Sequence, residues 1–309
     1  MAEPTGILLV DKPGGITSHD VVARARRALN TRKIGHAGTL DPMATGLLVL
    51  GIGAATRLLT FLVGLDKDYL ATIRLGVTTD SDDADGQVTA RAAVSEVAAV
   101  TRERIAGGMT GLTGRISQVP SRVSAIKVGG RRAYDLARAG VEVELKAREV
   151  VISSLVLQDV REGEGHLDLD VAVSCSSGTY VRALARDLGA DLGVGGHLTA
   201  LRRTRIGPFD VRDAAAVPPG AVPAVDALVD ALAAAPLRSA AEVASAVMPA
   251  LHVDAAQARD LRHGKRVAGL TIDGPRAAAI DPTGRLIGVV ERRGPEIKSV
   301  MNMPEEQHP

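Results

Sequence analysis

Residues 35–48 read G-H-A-G-T-L-D-P-M-A-T-G-L-L, and the reading of the whole chain turns on Asp41 within them. It stands between Leu40 and Pro42, five positions after His36. Pro42 fixes its own φ and drives the residue before it toward an extended conformation. Gly35, Gly38 and Gly46 permit backbone conformations and close approaches that a Cβ would block. The pattern describes a rigid loop presenting one carboxylate. An Asp-Pro turn is by itself commonplace, so the weight falls on what surrounds it.

Upstream, I-L-L-V at 7–10 is a short apolar strand closed by D-K-P-G-G, and Ser18 is the expected N-cap of a helix over 19–29. Downstream, 46–52 is apolar, 55–65 has a helical pattern and 69–76 alternates with strand period. A helix is expected over 94–109. The segment 114–140 is irregular, basic and Gly-containing, with a short helix near 133–139. Strands at 148–159 and 166–174 flank E-G-E-G and predict a hairpin, and 179–192 has helical periodicity. Strands and helices mixed without strict alternation predict α+β with a largely antiparallel sheet. From 214 to 249 the composition shifts to Ala, Val and Pro, which reads as a connector with a helix at 225–235. Beyond it, short strands with Gly turns at 266–272, 276–281 and 286–292 predict a small β-rich module that needs support from the main body. The tail M-P-E-E-Q-H-P is expected to fray.

The chain has 309 residues, 46% of them hydrophobic, enough for two domains with real cores. Its apolar runs are too short to cross a bilayer, and the N-terminus lacks the pattern of a secretion signal. A single cysteine, Cys175, excludes an intramolecular disulfide and a Cys-rich zinc site. A cytoplasmic protein without membrane association is expected. Net charge is only +1, against indiscriminate coating of nucleic acid, but the charges are segregated. Basic residues gather at Arg24, Arg26, Arg27, Arg32 and Lys33, at Lys127, Arg131, Arg132 and Arg138, and at Arg202, Arg203 and Arg205. Acids gather at 80–85, D-S-D-D-A-D. One positive face fits this distribution, and so do ordinary solvated helices.

Aromatic residues make up 2% of the chain: Tyr69, Tyr134, Tyr180, Phe61 and Phe209. Aliphatic residues fill the core, so the placement of the rings carries information. Tyr69 follows D-K-D at the start of a strand. Tyr180 falls in C-S-S-G-T-Y-V-R, where a strand gives way to a helix. Rings beside charged groups suit stacking on a planar ligand as well as packing at a strand edge. Arg182 lies near a helix start, where a cation gains nothing from the helix dipole, so burial there would require a carboxylate partner. Asp41 is one candidate. His36 reads as a polar turn residue or as a side chain reaching nucleic acid.

Six ordered segments resemble one family: L-L-V-D-K-P-G-G-I-T-S-H-D, G-H-A-G-T-L-D-P-M-A-T-G, D-K-D-Y, R-L-G-V-T-T-D-S-D-D-A-D-G, V-P-S-R-V-S-A-I-K and S-S-G-T-Y-V-R-A-L-A-R-D-L-G. They look like the bacterial tRNA pseudouridine-55 synthases, the TruB family, across about residues 5–210. The resemblance implies that Asp41 matches the catalytic aspartate, with Arg182 as its ion-pair partner. His36, Tyr69, Tyr180 and Leu201 match the residues around a flipped uridine, and 115–143, including Lys127, matches a flexible RNA-gripping segment. It further implies a mixed, largely antiparallel central sheet flanked by helices, with residues 1–248 as the catalytic domain. Residues 249–309 would form a PUA-like RNA-binding module, although their likeness is loose.

The implied reaction breaks the C1′–N1 bond of uridine and rejoins the uracil through C5. No electrons are exchanged, so neither a metal nor a redox cofactor is expected. The carboxylate can attack C6, attack C1′, or assist departure of the base with loss of the 2′ proton. The target must be flipped from a folded T-arm stem-loop at a cost of a few kcal/mol, with His36 filling the vacated space. Tyr69 is also a candidate for removing the C5 proton, although a phenol of pKa about 10 is a poor base near neutrality. The partner expected is tRNA, met by a monomer without an obligate protein partner. The alternative is a tRNA-folding chaperone whose catalysis is secondary. A nucleotidyl transferase finds no Walker lysine and no second histidine at the needed spacing.

Overall fold

The apolar run near the N-terminus forms the strand Gly6–Lys12, buried along almost its whole length. In the computed structural model, residues 3–121, 127–128, 131–132, 145–216 and 225–304 are described. The helix expected near 133–139, most of the basic segment 115–143 and the tail 305–309 lie outside the described residues. Two compact units contain the chain, one of Met1–Pro42, Gly46–Val63 and Gly207–Pro309, the other of Met43–Thr45 and Gly64–Ile206.

In the first unit, Gly6–Lys12 runs antiparallel to Thr45–Ile52 with Leu8 opposite Leu50 and Lys12 opposite Gly46, and parallel to Ala215–Ala216. Ile34–His36 pairs on the other edge of Thr45–Ile52, setting His36 opposite Leu50. The helix Ser18–Ala28 lays Val21, Val22 and Ala25 on Leu8, Val10, Leu48, Leu50 and Ile52. Its N-cap is Thr17 rather than the expected Ser18. The Thr17 hydroxyl accepts from the Asp20 N–H while the Asp20 carboxylate accepts from the Thr17 N–H, a reciprocal capping box. Ser18 is displaced into the first turn and buried, with a different task. The 3₁₀ turn Gly53–Leu58 and the helix Leu59–Leu62 replace the single helix expected over 55–65.

The stretch expected to be a connector contributes to the core. Leu228 and Leu232 of the helix Val225–Ala234 join the cluster formed by Ser18–Ala28 and its strands. Ala240–Val247 is a further helix, capped by Ser239. The C-terminal module is a sheet in the order Ala250–His252, Arg276–Ile280, Leu286–Arg293, Glu296–Asn302, Val267–Ala268. It carries one helix, Ala255–Arg262, that the strand-centred sequence reading passed over. The signal was D-A-A-Q at 254–257, which forms a complete capping box. Strand alternation gives this sheet two apolar faces. Ala277 and Ala279 face Leu261, Val290 and Ile297, while Ala278 and Ile280 face Leu58 and Ala244. The expected support from the main body is this second face.

The second unit holds an antiparallel sheet in the order Gly196–Ile206, Lys67–Leu75, His166–Cys175, Arg148–Gly163, Gly114–Gln118. The expected hairpin closes between Gly163 and His166. Along Lys67–Leu75 the residues Lys67, Tyr69, Ala71, Ile73 and Leu75 are buried, the strand period read from the sequence. Helix Val181–Asp191 packs through Val181, Leu184, Ala185 and Leu188. The helix expected over 94–109 is two, Val94–Ala98 and Arg102–Gly111. Thr101 breaks it, because its hydroxyl takes the Arg104 N–H and so offers a new N-cap in place of continuation. Both units therefore share the α+β class, with mixed but largely antiparallel strands and flanking helices. Among the described residues no helix is long and apolar enough to cross a membrane.

Candidate active site

Asp41 follows Leu40, a buried residue whose two backbone polar groups meet one side chain. The Ser18 hydroxyl accepts from the Leu40 N–H at 2.9 Å and donates to the Leu40 carbonyl at 3.2 Å. Ser18 is itself fully buried. On the other side of Asp41, the Pro42 carbonyl accepts from the Gly15 N–H at 2.8 Å and from the Lys12 ammonium at 3.3 Å. Lys12 is fully buried, and its other donors reach the carbonyls of Pro13 and Ile16, each at 2.8 Å. A buried ammonium demands such treatment, because an unmatched donor on it would cost far more than a neutral one. Gly38 and Gly46 flank the loop in the left-handed region, with φ of +100° and +102°, where an L side chain would be strained. The carboxylate thus stands on a peptide anchored immediately before and after it.

The anchors come from D-K-P-G-G-I-T-S at 11–18, so strand, turn and helix start form one bracket around the loop. His36 ends the strand Ile34–His36, and its ring meets the edge of His19 at 5.5 Å between centroids. The next residue, Ala37, donates its N–H to the Val49 carbonyl at 2.9 Å. His36 is partly exposed, on the approach to the Asp41 loop.

In the second unit, one sheet face carries two of the other candidates, Tyr69 and Leu201. Arg203 lies opposite Tyr69, and Leu201 opposite Ala71. Since directly paired residues share a face, Leu201 and Tyr69 are diagonal neighbours on it. Both are about nine-tenths buried. Register here is pinned on the opposite face by Asp68, which takes two charged hydrogen bonds from Arg205, at 2.5 and 2.9 Å. The Arg205 hydrogen bond holds the Asp68 carboxyl below its usual range. Lys67 shares the Tyr69 face. Burial, aided by repulsion from Arg203, pushes its ammonium down to about 8, and it donates to the Leu65 carbonyl at 2.6 Å. Opposite Lys67 is Cys175, whose thiol burial pushes up to about 11.

Tyr180 is the N-cap residue of Val181–Asp191 without a capping side chain of its own. The buried Gln118 carboxamide serves instead, accepting from the Tyr180 N–H at 2.8 Å and donating to the Tyr180 carbonyl at 3.1 Å. The Arg148 guanidinium lies over the Tyr180 ring, 5.1 Å from its centroid. Arg182 is buried and has a carboxylate partner in Asp83 at 3.2 Å, which the sequence did not single out, with a further bond to the Ser81 carbonyl at 2.9 Å. Asp83 accepts in turn from the Ser81 hydroxyl at 2.5 Å and the Asp85 N–H at 3.1 Å. These bonds satisfy the buried Asp83 carboxylate beyond its ion pair, which lowers the cost of holding the two charges out of water. The side chain of Lys127 lies outside the described residues.

Sequence reading named Asp41, His36, Tyr69, Tyr180, Arg182 and Leu201 but missed the residues that hold them. In the sequence Ser18 reads as a cap and Asp83 as one member of an acidic run. Gln118 had a faint signal, a polar side chain at the inward position of the strand Gly114–Gln118.

Comparison with known proteins agrees along most of the chain. Residues 26–181 match the TruB family pseudouridylate synthase N-terminal domain, 182–232 the tRNA pseudouridylate synthase B C-terminal domain, and 248–304 the C-terminal domain described for tRNA pseudouridine synthase II. The chain is 53% identical over 306 residues to tRNA pseudouridine synthase B of Leifsonia xyli subsp. xyli, covering 98% of each. It is 49% identical over 304 residues to the protein of that name in Streptomyces avermitilis, covering 96% of each. Among solved structures it resembles an archaeal box H/ACA sRNP Nop10–Cbf5 complex with a TM-score of 0.68 at 21% identity, over 98% of this chain and 87% of that one. An H/ACA RNP bound to a substrate RNA containing 2′-deoxyuridine gives 0.67 at 22% identity, over 98% and 86%. These two likenesses bear on the fold.

Proposed function

We propose that this chain, which belongs to the TruB family of pseudouridylate synthases and is therefore an isomerase, converts uridine-55 in the T-loop of tRNA to pseudouridine with Asp41 as the attacking carboxylate. The observation that carries the reading is the double anchorage of the Asp41 loop, by Ser18 on Leu40 and by Lys12 and Gly15 on Pro42. Catalysis by one carboxylate depends on holding it in attack geometry, where an error of about 1 Å can cost roughly a hundredfold.

The uridine is flipped from its loop and held by Tyr69, Tyr180 and Leu201. His36 occupies the space it leaves, and Lys127 with its basic segment grips the RNA. Arg182, steadied by Asp83, keeps Asp41 ionised and oriented. In the reaction the C1′–N1 bond breaks, N1 gains a proton, C1′ joins C5, and the C5 proton passes to solvent. Attack at C6, attack at C1′ and base departure with loss of the 2′ proton all meet this balance, and all require an ionised Asp41. Rotation of the cleaved uracil needs a closed, largely apolar pocket, which the aliphatic and tyrosine face beside Leu201 supports. Residues 1–248 act as the catalytic domain and 249–309 as an RNA-binding module, in a monomer working on tRNA in the cytoplasm.

The test is release of tritium from tRNA carrying 5-tritiated uridine. Asp41→Asn is expected to abolish release while leaving tRNA binding intact. Full turnover by this variant, or loss of binding instead of chemistry, would remove Asp41 from the role.

A further inference from the structure

The helix that begins at the Asp41 loop ends at an arginine-lined cleft. Ser18, in its first turn, holds Leu40, and its last turn carries Arg26 and Arg27. Beyond it, Asn30 adopts a left-handed backbone with φ of +48° and turns the chain so that Thr31 and Arg32 complete the wall. Arg26, Arg27, Asn30, Thr31 and Arg32 line a cleft of about 710 Å³. Arg26, Arg27 and Arg32 are exposed, and Lys33 beside them is exposed as well.

Two ordinary roles leave this charge unexplained. Cations at a helix C-terminus complement its partial negative charge, which amounts to about half a unit and fades within the last turn. That accounts for Arg26 and Arg27 in part, and for Arg32 not at all. Ion pairing does not account for Arg26 or Arg32 either: among the described residues neither is paired with a carboxylate. Glu3 is engaged elsewhere on the wall, accepting from the Thr31 hydroxyl at 2.9 Å. Arg26 spends one donor on the Ile34 carbonyl at 3.3 Å, which steadies the side chain without neutralising it. A concave wall carrying the Arg26 and Arg32 guanidinium groups, neither neutralised by a carboxylate among the described residues, with the exposed Asn30 amide between them, fits phosphate oxygens.

We infer that this cleft binds backbone phosphates of the RNA substrate, one helix length from Asp41. An 11-residue helix spans about 16 Å, so the phosphates held there belong to nucleotides near, but not adjacent to, the flipped uridine. The inference rests on the RNA-substrate reading above and adds a site to it. A single rigid element then couples the two contacts, since the helix that positions the Asp41 loop at one end grips the strand at the other.

The experiment measures binding of unmodified tRNA against salt concentration for wild type, Arg26→Gln/Arg32→Gln and Arg32→Glu, with tritium release in parallel. Loss of two phosphate contacts is expected to lower the slope of log Kd against log salt by about 1.5. The affinity gained on going from about 0.2 M to about 0.05 M salt then shrinks by roughly tenfold in the double variant. Turnover at saturating tRNA stays at the wild-type value. Slopes and affinities equal to wild type in both variants would overturn the inference while leaving the reaction untouched. A wild type that releases no tritium would overturn the reaction instead, and the slope would still report on the cleft. Arg32 makes no side-chain hydrogen bond among the described residues, so Arg32→Glu keeps the test sound if removal of Arg26 disturbs folding. Inorganic phosphate at matched ionic strength provides the remaining arm. Stabilisation of wild type but not of Arg32→Glu, with an unchanged tRNA slope, would assign the cleft to a free anion and refute an RNA contact.

Discussion

Ser18→Ala is the perturbation that tests the anchored loop most directly. The substitution removes a hydroxyl whose two hydrogen bonds both go to Leu40, at 2.9 and 3.2 Å, in a fully buried position. The Leu40 N–H and carbonyl are then left without their partner, and each buried group so stranded costs about 1–3 kcal/mol. Partial relaxation of the loop brings the expected total to about 2 kcal/mol, or a melting shift of roughly 3 °C for a chain of 309 residues. That relaxation is what damages catalysis, since Leu40 is bonded to Asp41. A displacement of about 1 Å predicts a fall in kcat of one to two orders of magnitude with little change in KM. Alanine suits a first helical turn, and the Thr17–Asp20 capping box stays in place, so helix loss does not confound the result. Single-turnover tritium release well below the melting temperature is the assay, with tRNA binding measured alongside. Wild-type kcat in the folded variant, or a defect confined to KM, would refute the claim that Ser18 positions Asp41.

Three further outcomes follow from other parts of the molecule. Gln118→Leu strips both Gln118 hydrogen bonds from the Tyr180 backbone and is expected to destabilise by about 1–3 kcal/mol and to raise KM for tRNA more than it lowers kcat; an unchanged KM would separate Tyr180 from substrate binding. Cys175, buried with its thiol pushed up to about 11, is expected to resist thiol reagents in the native state and react only on unfolding, which a time course with and without denaturant checks. In the C-terminal module, burial of Asp281 opposes ionisation, but hydrogen bonds from Thr283 and Arg285 outweigh it and hold its carboxyl down at about 2. Because this folded value is below the unfolded one of about 3.9, the stabilisation, about 2 kcal/mol, is complete above pH 4 and disappears as pH falls toward 2. Acid melts of Asp281→Asn should lie below wild type at pH 7 and converge with it near pH 2; parallel curves would contradict the assignment.

Most strands and helices were legible because their signals are local. The hairpin of Arg148–Gly163 and His166–Cys175 announces itself by two alternating runs around Glu164–Gly165, and the buried face of Lys67–Leu75 is written in period two. Boundaries failed where neighbouring residues compete for one structural role. Thr17 and Ser18 can each cap a helix, and the choice fell to Thr17 because Ser18 has a buried partner in Leu40, twenty-two residues away. Thr101 split an expected helix for a related reason, its hydroxyl competing with the backbone. The Ala- and Pro-rich stretch looked like a connector because composition is blind to Leu228 and Leu232 reaching the core around Ser18–Ala28.

The amino-acid order alone determined the family and the α+β class and singled out Asp41 as the candidate acid, since motifs and periodicities survive reading in one dimension. The tertiary structure decided what holds those residues still: Ser18, Lys12 and Gly15 around Asp41, Gln118 on Tyr180, and Asp83 on Arg182. Such partners are polar groups removed from water, and the energy of each depends on a matched donor or acceptor within about 3 Å. Separation along the chain, from 22 residues for Ser18 and Leu40 to 99 for Asp83 and Arg182, says nothing of that distance. Only folding brings the matching groups together.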